Sequence, residues 1–206
     1  MMKLIYIMDP LCGWCYGNSD NILELFEKYK NDIKFEILPG GMWVGENVRR
    51  QSPQMVSFFL RHDTAVEEHT GIDFGNAYRE LLKQEIVLDS EIPSRAIVTI
   101  QNIAPELTVP FMVAVQKARY YFGKDLNLDE TYLSIAENLG IDEQTFLDYF
   151  HSDKAKKETQ NTFQKAVQFA QSFPTMLVEN NGEYTVIEQG YASISDLQQR
   201  IEVLKN

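Results

Sequence analysis

Residues 9–16 read DPLCGWCY and contain both cysteines of this 206-residue chain, Cys12 and Cys15. If two cysteines were placed at random in a chain of this length, they would fall three positions apart only about one time in a hundred. This spacing is therefore the strongest signal in the sequence. It is typical of a redox pair, although a short structural disulfide and half of a metal site can have the same spacing.

The segments on both sides of the cysteine pair have the pattern of a βαβ unit. Residues 3–8 (KLIYIM) form an almost continuous apolar run that predicts a short buried strand. Apolar residues at helical spacing predict a helix over about residues 13–29, and residues 33–38 (IKFEIL) alternate as a strand with one covered face does. A CxxC motif that opens the helix of such a unit indicates a thioredoxin-like redox protein.

The end of the chain supplies the other half of this fold. Residues 175–179 (TMLVE) and 183–189 (EYTVIEQ) predict two strands, and Asn180-Asn181-Gly182 between them predicts a hairpin turn. A final helix is predicted to follow Ser193 as its cap. Its apolar face is formed by Ile194, Leu197, Ile201 and Leu204.

The intervening residues are predicted to be almost wholly helical. Proline is tolerated in the first turn of a helix, so Pro93 is predicted to open one helix, and Asp129 is predicted to cap another. The predicted helices cover residues 54–70, 76–84, 93–105, 109–122, 129–139, 143–150 and 153–171.

These elements predict an α/β fold, namely a thioredoxin fold with a large helical insertion between the second and third strands. We expect residues 1–52 and 172–206 to form a split thioredoxin-like domain. Residues 53–171 are expected to form the inserted helical domain, which closes on the same core.

The predicted position of Cys12, at the start of a helix, suits a nucleophile. Only a thiolate attacks a disulfide, and the unpaired N–H groups and positive dipole of a helix N-terminus stabilise an anion. Cys15 lies one turn further along, so it can attack a mixed disulfide formed at Cys12. We expect Cys12 to be the exposed nucleophile and Cys15 the more buried resolving thiol. Gly13 adds no charge between them, and Trp14 either meets the substrate or packs against the insertion.

Two further segments are expected near the cysteines. Pro174, preceded by Phe173 at the entry to the third strand, suits a tight turn that faces the CxxC helix. Residues 40–43 (GGMW) either shape a groove beside the cysteine pair or form only a loop.

Two charged residues also have more than one interpretation. Asp9 either accepts a proton from Cys15 or caps the turn at Pro10, and the cap is favoured. Arg95 is either a cationic contact for a substrate or a solvated helix residue, and the second interpretation is favoured.

Other roles for the cysteine pair are less favoured. A structural disulfide that closes a four-residue loop stabilises the fold by roughly 2 kcal/mol or less. Structural zinc needs four ligands, the chain has no further cysteine, and its histidines, His62, His69 and His151, are scattered. A third alternative is a non-enzymatic binding protein in which the pair acts as a redox sensor.

Composition and charge limit the partners and the location. The formal net charge of -11 repels phosphate backbones and anionic membranes, so neither nucleic acid nor a membrane is an expected partner. No run approaches the roughly 18 apolar residues of a membrane span, and residues 1–10 lack a secretion signal. A cytoplasmic location is therefore expected, where the reducing environment makes a purely structural disulfide unusual.

The stretch from Asp9 to Tyr16, opening the first helix after the first strand, resembles the DsbA family of thiol–disulfide oxidoreductases. Within that family the chain is most similar to the FrnE-like branch, which is related to 2-hydroxychromene-2-carboxylate isomerases and kappa-class glutathione transferases. Residues 39–42 (PGGM) and 94–96 (SRA) add weaker similarity, and the order of elements agrees over nearly the whole chain.

The resemblance implies thiol–disulfide exchange with protein or small thiol substrates, with Cys12 as nucleophile, Cys15 as resolving thiol and Pro174 as the cis-proline beside them. We expect no cofactor other than the redox-active disulfide, and glutathione is a candidate co-substrate. Gly13, Trp14 and Phe173 are then the expected substrate contacts, although Phe173 is bulkier than the residue common at its position. A glutathione-dependent isomerase or transferase is the alternative, but those relatives generally lack the redox pair.

Overall fold

A mixed sheet of four strands lies at the centre of the structure, a computed structural model that describes residues 2–205. In chain order the strands are β1 (Lys3–Met8), β2 (Lys34–Pro39), β3 (Arg49–Arg50), β4 (Val87–Leu88), β5 (Thr175–Asn180) and β6 (Glu183–Gln189). The helices are α1 (Gly13–Gly17), α2 (Ser19–Tyr29), α3 (Pro53–Thr70), α4 (Asn76–Leu81), α5 (Glu91–Ile103), α6 (Thr108–Tyr120), α7 (Asp129–Asn138), α8 (Glu143–Phe150), α9 (Asp153–Phe169) and α10 (Ile194–Lys205). Short 3-10 turns cover Gly45–Asn47 and Pro105–Leu107.

The central sheet has the strand order β2–β1–β5–β6. β1 and β2 are parallel, with Ile5 opposite Glu36, and this pairing requires the crossover that α1 and α2 provide. β5 is antiparallel to β1, with Ile5 opposite Leu177, and β6 returns antiparallel to β5. The two ends of the chain therefore join in one sheet. The predicted thioredoxin fold, with a helical insertion after its second strand, is confirmed.

The single helix predicted over residues 13–29 is wrong, because the chain forms two helices with Asn18 between them. A Cβ added at Gly17 would lie 2.4 Å from Cγ1 of Val66, so Gly17 permits a close approach of α3. The Asn18 side chain is fully buried and donates through Nδ2 to Oε2 of Glu188 at 2.8 Å. Tertiary contacts, which periodicity does not reveal, thus end the first helix after five residues.

Several boundaries in the insertion also differ from the sequence prediction. α5 begins at Glu91, so Pro93 is its third residue rather than its first; proline still fits there, because the first N–H groups of a helix have no partner within it. Asp129 is the first residue of α7 and makes no cap, since Leu128 holds that position. β3 and β4 form a small antiparallel pair, with Arg49 opposite Leu88, that the helical pattern did not predict.

The two faces of β1 pack against different helices. Leu4, Tyr6 and Met8 belong to the main core, together with residues of α5, α6 and α8. Ile5 and Ile7 face the other side, where they meet β5 and α9. The insertion therefore shares its main core with the sheet, and the division of the chain into domains at 53 and 171 stays a prediction. None of the helices in the described part of the chain combines the length and hydropathy that a membrane crossing requires.

Candidate active site

The turn after β1 places Cys12 immediately before α1. The Cys12 N–H donates to the carbonyl of Asp9 at 3.0 Å, and the extended backbone of Cys12 (φ -97°, ψ 116°) makes this residue the N-cap. In this position its Sγ accepts the N–H of Cys15 at 3.3 Å. The sulfur thus takes the place of the oxygen that usually caps a helix.

A second chain segment reaches the same sulfur. The Cys12 thiol donates to the carbonyl oxygen of Phe173 at 3.7 Å, and the Phe173–Pro174 peptide bond is cis. The Phe173 ring packs over Gly40, where a Cβ would lie 2.0 Å from its Cζ atom. Glycine at position 40 therefore lets the ring lie flat against the end of β2, and the Phe173 side chain does not line the cleft described below.

Cys15 has opposite surroundings. It lies inside α1 and is 0% exposed, packed in the main core. Burial, followed by the hydrogen bond with Cys12 and the Cys12 charge, raises the pKa of the Cys15 thiol well above its ordinary value. These surroundings therefore favour the protonated form of the second thiol.

Asp9 caps the turn, as the sequence favoured. Its Oδ1 accepts the N–H of Leu11 at 2.9 Å and the hydroxyl of Ser90 at 2.9 Å, while Oδ2 accepts the N–H of Met42 at 2.6 Å. The carboxyl is fully buried, and burial raises its pKa to about 6. These hydrogen bonds tie the turn before Cys12 to the 40–43 loop and to the start of α5.

A cleft of about 170 Å³ opens above Cys12, which is 8% exposed and forms part of its wall. The exposed nucleophile of the sequence prediction is therefore a mostly covered residue that is open only to this cleft. Six of its lining residues are Phe, Trp or Tyr, and they come from separate parts of the chain: Trp14, Trp43, Phe58, Phe59, Tyr78 and Tyr120. Met42 and Trp43 take part, so residues 40–43 shape a groove beside the cysteines rather than forming only a loop.

Gly13 and Trp14 both face the cleft. Trp14 also makes an edge-on contact with the His69 ring, with the centroids 5.7 Å apart, so it lines the cleft and packs against α3 at once. A Cβ at Gly13 would lie 3.3 Å from Oδ1 of Asp63. Because residue 13 is glycine, the Asp63 carboxylate can lie close to the first turn of α1.

Asp63 and Arg119 are cleft residues that the sequence analysis missed. Asp63 is 4% exposed and accepts the Tyr78 hydroxyl at 3.3 Å; burial raises the pKa of its carboxyl to about 7. Arg119 is 3% exposed, and its guanidinium carbon lies 5.7 Å from the ring centroids of both Tyr78 and Tyr120. A signal was available, because each charged residue interrupts an apolar stripe of its helix.

A polar network closes the opposite side of the cysteine pair. The Tyr6 hydroxyl donates to the carbonyl of Cys15 at 3.5 Å and accepts Nδ2 of Asn18 at 3.5 Å. Asn18 in turn holds Glu188, which is 2% exposed and whose pKa burial raises to about 7. This network fixes the end of α1 against β1 and β6.

Of the remaining sequence candidates, His62 lines the cleft, whereas Arg95 lies elsewhere. Arg95 is buried rather than solvated: it pairs with Glu91 at 3.0 Å, donates to the Phe150 carbonyl at 3.1 Å, and does not line the cleft. The solvated interpretation is wrong because Arg95 lies on the face of α5 that packs against α8. His62 and His69 are exposed, and within residues 2–205 no group of three or more His, Cys, Asp and Glu side chains could hold a metal ion.

Known proteins resemble both the sequence and the fold. A family model described as thioredoxin matches residues 5–199. A candidate protein disulfide isomerase from Nitrosomonas europaea is 30% identical with a TM-score of 0.89, over 99% of this chain and 97% of that chain. The cytosolic disulfide reductase DsbM from Pseudomonas aeruginosa is 24% identical with a TM-score of 0.86, over 98% of each chain. Its structure with GSH is 23% identical with a TM-score of 0.84, also over 98% of each chain.

A more distant fold neighbour is a 2-hydroxychromene-2-carboxylate isomerase, with 13% identity and a TM-score of 0.64 over 98% of this chain and 94% of that chain. No curated protein matches the sequence significantly. The family match covers nearly the whole chain, and the resemblance to DsbA-like proteins that the sequence indicated is confirmed. The chain belongs to the thioredoxin family.

Proposed function

We propose that this protein is a thiol–disulfide oxidoreductase that exchanges disulfides with protein or small thiol substrates through Cys12 and Cys15. The observation that carries the proposal is the position of the Cys12 sulfur. It accepts the N–H of Cys15 at 3.3 Å, faces the Phe173 carbonyl at 3.7 Å, and borders a cleft large enough for part of a substrate. An isolated structural thiol has no need of this combination.

In the reductive direction, the Cys12 thiolate attacks one sulfur of a substrate disulfide. The substrate S–S bond breaks, a bond forms between Cys12 and that sulfur, and the other half leaves as a thiolate with the bonding electrons. The Cys15 thiolate then attacks Cys12 and releases the second half. Two electrons have passed from the cysteines to the substrate, and Cys12 and Cys15 are left as a disulfide.

Deprotonation of Cys15 is the step that its surroundings oppose, because burial and the Cys12 charge raise its pKa. Once Cys12 is in a mixed disulfide, its charge no longer acts on Cys15. The first step of the reaction therefore removes one of the causes that hold the resolving thiol protonated. In this scheme Pro174 and the Phe173 carbonyl border the attacked sulfur and limit the approach of the substrate to the cleft side.

The expected direction is reductive, in the cytoplasm, with glutathione as the thiol that returns the Cys12–Cys15 disulfide to the dithiol. The fold neighbour DsbM, a cytosolic disulfide reductase also solved with GSH, supports this direction and this co-substrate. The reduction potential of the pair decides the direction, and an equilibrium with glutathione buffers measures it. The exchange needs no cofactor other than the disulfide itself.

The test compares Cys12→Ser, Cys15→Ser and the double variant in turnover of a small disulfide with glutathione. We expect Cys12→Ser to lose at least about a thousandfold in rate, since the attacking thiolate is gone. Cys15→Ser should accumulate a mixed disulfide at Cys12, which mass spectrometry detects. Turnover that survives in Cys12→Ser would contradict the proposal.

The same variants separate the alternatives. A glutathione-dependent isomerase or transferase would keep glutathione binding and activity in the double variant. A non-enzymatic redox sensor would cycle between dithiol and disulfide in the wild type without turning over substrate. Either result would replace the proposed activity with the corresponding alternative.

A further inference from the structure

Arg119 carries a permanent positive charge in a buried position. It is 3% exposed, and its Nε has no hydrogen-bond partner among the described residues. Within residues 2–205, none of the ion pairs shorter than 4.0 Å involves Arg119. A buried charge is normally paired, because its removal from water is costly. The other buried arginine, Arg95, follows that rule through Glu91.

The groups around Arg119 compensate its charge only in part. The rings of Tyr78 and Tyr120 lie 5.7 Å from the guanidinium carbon, which allows a cation–π contact with each ring. The positive charge of Arg119 acts to lower the pKa of Asp63. The Asp63 carboxylate accepts a hydrogen bond from Tyr78, however, and makes no ion pair with the arginine. The carboxyl end of α6 adds a diffuse partial negative charge. Among the described residues, no carboxylate forms an ion pair with the guanidinium fork.

Arg119 and Cys12 line the same cleft. Its volume of about 170 Å³ is close to that of an apolar cavity of about 150 Å³ that holds one benzene molecule. The cleft therefore accepts one short arm of a substrate rather than a whole peptide. An arm bound through its sulfur at Cys12 would place its far end among the groups that line the cleft.

We propose that Arg119 binds a carboxylate on the substrate arm, so that the cleft selects small disulfides that carry a carboxylate a few bonds from the sulfur. Guanidinium and carboxylate form two parallel hydrogen bonds, which supplies the acceptor that Arg119 lacks. The inference deepens the proposed exchange activity and rests on it. Cys12 attacks the sulfur of the bound arm, the other half leaves as a thiolate, and Cys15 then releases the arm.

The test uses a pair of probes that differ only in this group, 3,3′-dithiodipropionate and its neutral diamide. Reduced protein is mixed with each disulfide, and the single-turnover rate of Cys12–Cys15 disulfide formation is followed by acid quench and mass spectrometry. A charge-assisted hydrogen bond to a buried group predicts that the wild type reacts about 10- to 100-fold faster with the diacid. The net charge of -11 opposes this preference, so it must come from a local cation.

The variants locate the preference. We expect Arg119→Gln to bring the ratio of the two rates close to one, and Arg119→Lys, which keeps the charge without the planar fork, to give an intermediate ratio. Lys157→Gln is the control for overall charge: it removes one positive charge from an exposed position on α9, outside the cleft lining, and should keep the wild-type ratio. Thermal unfolding verifies that each variant is folded. If Arg119→Gln does not fold, the proposal is tested by comparing the diacid-to-diamide rate ratio of the wild type with that of Arg119→Lys.

Each result has a distinct meaning. A wild-type ratio near one, or an unchanged ratio in the folded Arg119 variants, overturns the carboxylate site but leaves exchange at Cys12 intact. A ratio that falls equally in Lys157→Gln also overturns it, since the effect would then be one of overall charge. Failure of both disulfides to react with Cys12 would overturn the exchange activity as well.

Discussion

Cys12 and Cys15 belong to one turn of the chain, yet their sulfurs have opposite surroundings. Cys12 precedes α1, accepts an N–H, faces the Phe173 carbonyl and borders the cleft. Cys15 lies within α1, is 0% exposed, and has a pKa raised well above its ordinary value, mainly by burial. Identical side chains three positions apart thus receive different chemistry from their positions relative to one helix boundary.

This contrast shows that the motif alone does not assign the roles. The assignment depends on where α1 begins, and Asp9 fixes that point by accepting the N–H groups of Leu11 and Met42. The assignment depends equally on the groups that cover the start of the helix. These are the Phe173–Pro174 segment and the cleft-lining rings of Phe58 and Phe59 on α3. A CxxC pair in mid-helix would lack the N–H that Cys12 accepts.

The largest expected effect concerns alkylation of the two thiols. With the reduced native protein, we expect iodoacetamide to modify Cys12 at least about a thousandfold faster than Cys15, because Cys15 is inaccessible and its pKa is raised. Peptide mapping by mass spectrometry gives the two rates, and the Cys12→Ser variant gives that of Cys15 alone. In urea-denatured protein the rates should become similar. Equal and slow labelling in the native state would remove the contrast.

A second prediction concerns the buried carboxyl on the Cys12 side. The pKa of Asp63 is raised to about 7, so its protonated form favours the folded state. The stability it contributes is complete below about pH 4, where the unfolded carboxyl is also protonated, and is lost as the pH rises through about 7. Asp63→Asn keeps an acceptor for the Tyr78 hydroxyl but cannot ionise.

We therefore expect the difference in unfolding free energy between Asp63→Asn and the wild type to shift by about 3 kcal/mol in favour of the variant between pH 5 and pH 8. Urea unfolding at both pH values measures it. Asp9 and Glu188 are also buried carboxyls with raised pKa values. Their contributions to the pH dependence are the same in both proteins and cancel in the difference. A difference independent of pH would mean that Asp63 titrates normally in the folded protein.

On the Cys12 side, the sequence predicts the secondary structure around the cysteine better than it predicts the side chains that line the cleft. The strand before the pair, the helix opening and Pro174 follow from local patterns and from the resemblance. Asp63 and Arg119 come from α3 and α6, far apart in the chain, and only tertiary packing brings them to one cleft. Their position on apolar stripes marks them as unusual, but periodicity does not show what they meet.

The Cys15 side was less predictable, because close approach decides its shape. The first helix ends at Gly17, where Val66 of α3 occupies the space that a Cβ would need, and Asn18 turns inward to Glu188. Local propensity contains neither partner. The burial of Arg95 is unpredictable from local sequence for the same reason, since Phe150, whose carbonyl accepts its hydrogen bond, lies on α8 in a separate part of the insertion.

The smallest expected effect tests whether α3 acts as a wall of the cleft or only as part of the stability of the whole fold. Ser52 caps α3 by accepting the N–H of Met55 at 3.3 Å, and Ser193 accepts the N–H of Asp196 at 3.2 Å in the first turn of α10. Replacing either serine by alanine should cost about 1 kcal/mol, because each change removes one cap. Of these two helices, α3 carries residues that line the cleft, among them Phe58, and α10 carries none.

We therefore expect Ser52→Ala to slow the single-turnover reaction with a neutral disulfide by about twofold to fivefold, since a frayed first turn loosens the wall that follows it. Ser193→Ala should lower the thermal midpoint by a similar amount and leave that rate unchanged. If both variants slow the reaction equally, the rate follows global stability. If neither does, the first turn of α3 is not what holds the cleft.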